Sequence, residues 1–169
     1  MWTKLHWVKG PWPGTLALSA RPRGGDWLAD EMEHWRTSGV NAVLSLLTDQ
    51  EVNDLGLETE QQEANRHNLE FLSFPIPDRE VPNSEGQMEA TLKKLERILS
   101  SGKNVVIHCR QGVGRTGLIA ACLLATKGIP PDQAVAALTA ARGIEIPETP
   151  AQEAWIGHFA ASLAARVGV

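Results

Sequence analysis

The stretch that most constrains this chain is VVIHCRQGVGRTG, Val105 to Gly117. It opens with apolar residues on both faces, which suits a parallel strand buried between helices. A glycine-rich turn follows, and then an apolar helical pattern begins. A strand running through such a loop into a helix presents backbone N–H groups and the positive end of a helix dipole to an anion. The stretch therefore predicts an α/β fold with a phosphate cradle at the carboxyl end of a strand.

The remainder of the chain agrees with that frame. Residues 15–20, 40–47, 69–74 and 104–109 read as strands. Helical patterns span 26–37, with Asp26 as cap and Gly39 as stop, and about 58–67, with a third beginning at Ser84. There Ser84 and Gln87 have capping-box spacing, and Met88, Leu92, Leu95 and Leu99 share one face until Gly102. After Cys109 only helices are expected, over 114–127, 131–142 and 149–166. The expected architecture is a small, mostly parallel central sheet flanked by helices, with a C-terminal helical cluster. One domain covering 1–169 is the expected organisation, since the length suits a single core and no repeat or linker divides it.

Bulk properties exclude several classes. A net charge of −4 offers no long-range attraction to nucleic acid or anionic lipid. The longest strongly apolar run, Leu118–Ala125, falls far short of the roughly 20 residues that cross a bilayer. The first residues lack the apolar core of a secretory signal, so a cytoplasmic address is expected. His6, His34, His67 and His158 lack ligand spacing, and neither a metal nor another cofactor is expected. Of six tryptophans, those near Trp12 are expected to pack the N-terminal segment onto the core.

Two readings compete for the motif. Gly112, Gly114 and Gly117 match the dinucleotide fingerprint, which also requires a further strand with an acidic residue about 20 positions on. The residues that follow predict a helix instead. The other reading counts from Cys109 through five residues to Arg115 and Thr116. Such a loop can turn the N–H groups of Arg110, Gln111, Gly112, Val113 and Gly114 inward around a tetrahedral dianion, with the Arg115 fork binding two of its oxygens. The same dipoles favour a thiolate at Cys109. Thr116 stands where its hydroxyl can hydrogen-bond the sulfur.

Displacement at phosphorus also needs a proton donor on the leaving oxygen. FPIPDREVP supplies Asp78 on a proline-restrained loop, ahead of the rival acids Glu80 and Asp49. Cys122, on the helix eight residues beyond Gly114, is ~12 Å along the axis and reads as a core residue. Gln152 has capping-box spacing from Thr149.

HCRQGVGRTG with an upstream PIPD resembles the cysteine-dependent protein phosphatases, most closely the small dual-specificity phosphatases and the cyclin-dependent-kinase-inhibitor-3-like bacterial members. The resemblance extends from LALSARPRGGDWL through GVNAVLSLLTDQE to ETPAQEAWI. It implies a phosphotyrosine protein phosphatase-like fold, with Cys109 as nucleophile, Arg115 binding phosphate and transition state, and Asp78 as acid and then base. It further implies that His108 orients the loop and tunes the thiolate. The water-positioning glutamine of some members falls at Glu148, four residues before Gln152. The implied activity is hydrolysis of phosphotyrosine or phosphoserine/threonine in phosphorylated proteins, and a monomer is expected. The alternatives are a phosphoinositide or other small phosphomonoester phosphatase, and a module that recognises phosphate without cleaving it. Gln111 and Val113 stand where lipid phosphatases of this kind usually carry lysines.

Overall fold

The structure is a computed structural model that describes residues 1–166; the last three residues of the expected 1–169 domain lie outside the described residues. Five strands form one sheet: β1 (His6–Val8), β2 (Leu16–Ser19), β3 (Ala42–Ser45), β4 (Glu70–Ser73) and β5 (Val105–His108). Their order is β1-β2-β5-β3-β4. β5 lies in parallel between β2 and β3, so that His108 stands beside Ser19 and Ser45. β4 extends the parallel set, and only β1 is antiparallel.

Side-chain alternation along the strands divides the core into two layers. Leu16, Leu18, Ala42, Leu44, Val105 and Ile107 face α4 (Glu85–Ser100), α5 (Gly114–Ala125) and the helices beyond it. Ala17, Val43 and Val106 face the other way, onto Leu28, Met32 and Trp35 of α1 (Leu28–Thr37) and Ala64 of α3 (Glu60–Arg66). α5 is buried along its whole length and packs against α6 (Pro131–Arg142) and α7 (Pro150–Arg166), the C-terminal cluster. All three helices that follow the motif are thus accounted for, and no strand follows it among the described residues.

Several local expectations are corrected. β1 is a short edge strand that the pattern His–Trp–Val does not announce. Asp26 does not cap α1: a 3₁₀ turn over Gly25–Trp27 leads straight in, with Trp27 at the cap position in helical conformation and no side-chain bond. A six-residue helix, α2 (Asp49–Asp54), stands where no element was expected. The tryptophans divide: Trp12 is buried and donates its indole N–H to Glu96, whereas Trp2, Trp7 and Trp27 are exposed. Trp2 stacks on His34, and Arg23 lies against both Trp2 and Trp27, so these rings form a surface cluster outside the core.

Candidate active site

β5 ends at His108, and the chain then turns through Cys109–Val113 into α5. The turn needs Gly112, whose φ is +74°. A Cβ there would also sit 2.4 Å from the Ser19 carbonyl oxygen, so any other residue is both strained and obstructed.

Hydrogen bonds define which way the loop faces. Each trans peptide points its C=O and the next N–H in opposite directions. Arg110 O accepts from Arg21 N–H at 3.2 Å, and Val113 O from Gly117 N–H at 3.0 Å. The Arg142 guanidinium donates to Gln111 O at 2.9 Å and to Gly112 O at 3.2 Å. The carbonyls thus turn outward, and the N–H groups turn toward Cys109. Gly112 N–H lies 3.3 Å from Cys109 Sγ, while those of Arg110, Gln111, Val113 and Gly114 have no acceptor among the described residues. This is an anion nest with a thiol at its base.

Arg115 is the second residue of α5 yet is almost wholly buried. Nη1 donates to Glu51 Oε1 at 2.7 Å and to Ile76 O at 2.8 Å. Nη2 donates to Glu51 Oε2 at 2.9 Å and to Asp78 Oδ1 at 3.0 Å. Of the five guanidinium hydrogens, those on both Nη atoms are thereby engaged. Instead of reaching freely over the loop, the fork is held from below by Glu51 and from the side by Asp78.

Glu51 is buried at the third position of α2, where it completes a capping box with Thr48. Burial pushes its carboxyl up, but hydrogen bonds from Arg115 and the Thr48 N–H, the Arg115 charge and a longer contact from Arg110 outweigh this and hold it at about 2. In return, against the opposing effect of burial, Glu51 together with the charges of Cys109 and Asp78 keeps Arg115 more firmly protonated.

Asp78, Cys109, Arg110, Gln111, Gly114, Arg115 and Glu148 line one cavity of about 40 Å³. Sites that enclose a drug-sized ligand reach roughly 300 Å³ or more, so this opening suits a phosphoryl group and not a dinucleotide. His108 lies behind it, fully buried, with Nε2 at 2.6 Å from Glu60 Oε1 and Nδ1 at 3.3 Å from Cys109 O. It braces the loop from the α3 side and makes no hydrogen bond to the sulfur. Thr116 departs from expectation: its buried hydroxyl has no hydrogen-bond partner among the described residues. The left-handed turn at Gly112 brings a backbone N–H to the sulfur instead.

The residues 19–129 match a family model described as "Polymorphic toxin system, DSP-PTPase phosphatase". The chain belongs to that family. Rat cyclin-dependent kinase inhibitor 3 is 28% identical over 137 residues, 80% of this chain and 64% of the relative, so this DSP-PTPase chain spans less than two-thirds of that protein. Among solved structures, kinase associated phosphatase with its catalytic-site cysteine replaced by serine aligns at a TM-score of 0.88 and 22% identity, over 98% of both chains. Tk-PTP in its active form aligns at 0.75 and 26%, over 98% of this chain and 99% of the other.

Sequence reasoning about this DSP-PTPase missed Glu51, although T-D-Q-E carries the capping-box pattern that starts α2. It also missed Arg142, for which the sequence holds no signal beyond its place before Gly143. Gln152 has the capping role its spacing predicts: its Oε1 accepts from the N–H groups of Glu148 and Thr149, and Thr149 Oγ1 accepts from its N–H. Its Nε2 donates to Glu80 O, which ties the Asp78 loop to α7. Cys122 is buried in α5, where burial pushes its thiol strongly up and leaves it unreactive.

Proposed function

We propose that this chain is a phosphomonoester hydrolase, a protein phosphatase acting on phosphotyrosine and/or phosphoserine/threonine through a phospho-cysteine intermediate. The observation that carries the reading is Cys109 Sγ at the base of a ring of inward N–H groups, with Arg115 and Asp78 on the same cavity. The Cys109 thiolate attacks phosphorus and forms an S–P bond while the P–O bond to the substrate breaks. Asp78 gives its proton to the departing oxygen. The N–H groups of Arg110 to Gly114 and the Arg115 guanidinium hold the phosphoryl oxygens, most strongly where charge builds up in the transition state.

In the second step a water attacks phosphorus, the S–P bond breaks and a carboxylate takes the proton. Asp78 is the first candidate for that base. Glu148 is the second group able to assist: it lines the cavity, with Arg79 holding Oε1 at 2.6 Å, and a Cβ on Gly114 would fall 2.8 Å from its Oε2. Both ends of the Gln152 amide are committed elsewhere, which leaves that side chain a positioning role. Thr116 Oγ1, buried without a partner, is available to the sulfur when it leaves.

Family membership and similarity to a relative named as a tyrosine-protein phosphatase support phosphorylated proteins as substrates. The absence of lysine between Cys109 and Arg115 counts against a phosphoinositide. No described helix is long and apolar enough to cross a membrane, and the proposed setting is a cytoplasmic monomer that needs no cofactor. Cys109→Ser is expected to abolish release of phosphate from an aryl phosphate while leaving the fold intact. Retained turnover by that variant overturns the mechanism.

A further inference from the structure

The anion nest works only if the outward carbonyls are held, and they are not all held alike. Cys109 O is reached by the ring of the preceding His108. Arg110 O is fixed by a backbone N–H on the segment after β2, and Val113 O by the first turn of α5. The two carbonyls at the apex, Gln111 O and Gly112 O, are held by one side chain from a distant helix, Arg142 of α6.

We infer that Arg142 is a positioning residue for the phosphate-binding loop: its fork clamps the Gln111 and Gly112 carbonyls and so aims the N–H groups of Gly112 and Val113 at the reacting phosphate. Each carbonyl it takes is the reverse side of one of those two N–H groups. Nε and Nη2 lie along one edge of the guanidinium and present two parallel donors, which is the geometry for two successive carbonyls. A lysine ammonium is a point charge without that fork.

The placement of Arg142 supports the assignment. It is the last residue of α6, where the carbonyl end of the helix dipole favours a cation. Gly143 then ends the helix in the left-handed conformation, with its N–H on Thr139 O. Arg142 forms no ion pair with a carboxylate among the described residues, so its charge stands behind the loop unneutralised. Hydrogen-bonded peptides polarise one another, and a cation on the carbonyl side strengthens the N–H side toward a thiolate or a phosphate dianion.

The inference rests on the phosphatase reading, but its test does not depend on turnover. Inorganic phosphate is titrated against alkylation of Cys109 by iodoacetamide in the wild type, Arg142→Lys and Arg142→Ala, with Cys122 buried and inert. Both variants are expected to require about 10- to 100-fold more phosphate for protection, the scale of a loop misplaced by about an ångström. On an aryl phosphate, kcat should fall by more than KM rises. Lysine should not restore the loss, and as a folded, equally charged variant it decides the matter if Arg142→Ala fails to fold. Wild-type protection by phosphate in a folded Arg142→Lys overturns the clamp. So does phosphate that fails to protect the wild type, because the loop is then no anion nest. A wild type protected by phosphate but unable to hydrolyse the aryl ester overturns the hydrolase reading alone, while a loss of protection in both variants still supports the clamp.

Discussion

Replacing Glu51 by Gln removes one charge without changing shape, and the structure sets the scale of the effect. The carboxyl is held at about 2 in the folded protein against 4.5 in the free residue. At about 1.36 kcal/mol per pH unit, that difference corresponds to about 3 kcal/mol of folding stability. The side chain is buried, so little of this is lost to solvent screening. Gln is the neutral stand-in for the protonated acid; its amide nitrogen faces one Nη of Arg115, donor against donor, where a carboxylate oxygen accepted. At roughly 2–4 °C per kcal/mol for a chain of this size, the melting temperature at pH 7 should fall by roughly 6–12 °C. Because the folded value is depressed, this stabilisation is fully present above about 4.5 and is lost as pH falls through about 2. The gap between wild type and variant should therefore narrow across that interval. With the fork no longer braced, kcat on an aryl phosphate should drop by about 100-fold. The measurements are thermal melts from pH 7 down to pH 2 and steady-state kinetics at neutral pH. A Glu51→Gln protein that melts within about 2 °C of wild type at pH 7 and retains its kcat refutes the claim that this pair holds Arg115.

Four other variants test neighbouring parts of the site. Asp78→Ala should lower kcat by about 10²–10⁴-fold yet tighten inhibition by inorganic phosphate, because Nη2 of Arg115 loses the carboxylate with which phosphate competes; unchanged or weaker inhibition contradicts that competition. Glu148→Gln should slow breakdown of the phospho-cysteine, read as a preserved burst of product followed by a reduced steady rate, whereas Gln152→Ala should cost about 1 kcal/mol of stability through the lost cap and slow the burst itself; a reversed pattern exchanges the two roles. Gly112→Ala should abolish phosphate protection of Cys109, since its Cβ would meet Ser19 O at 2.4 Å in a left-handed turn; a variant with wild-type protection shows that the loop does not need this conformation.

What was legible in the sequence was what the chain keeps close together. Cys109, its loop and Arg115 form one contiguous stretch, and the strand before and helix after it carry their own periodic patterns, so the parallel sheet and the helical finish could be read directly. Asp78 was legible because prolines mark its loop. Glu51, Arg142 and the Gln152 bond to Glu80 were not read, because each acts on a partner many residues away that only the packing of α2, α6 and α7 brings near. Thr116 shows the converse: its spacing pointed to the sulfur, but the bend at Gly112 brings a backbone N–H there while the Thr116 hydroxyl has no partner among the described residues. β1 escaped notice because three residues against one neighbour leave too little alternation to see.

Arg115 meets two carboxylates whose surroundings differ. The Glu51 side chain is 9% exposed and the Asp78 side chain 52% exposed, though both lie within 3.0 Å of the same guanidinium. Removing a partner from a buried pair strands a charge and is costly, whereas an exposed pair contributes little. A phosphate dianion that seeks an Nη hydrogen therefore displaces Asp78 and leaves Glu51 in place. On the proposed mechanism this exchange has a chemical consequence. The incoming substrate takes the Asp78 position on Arg115 and releases that carboxyl, on a loop tied to α7 through Glu80 and Gln152, at the mouth of the cavity where the leaving oxygen must receive its proton. Binding of the phosphate and release of the acid are then a single exchange on one guanidinium, and Glu51 is the fixed contact that makes the exchange possible.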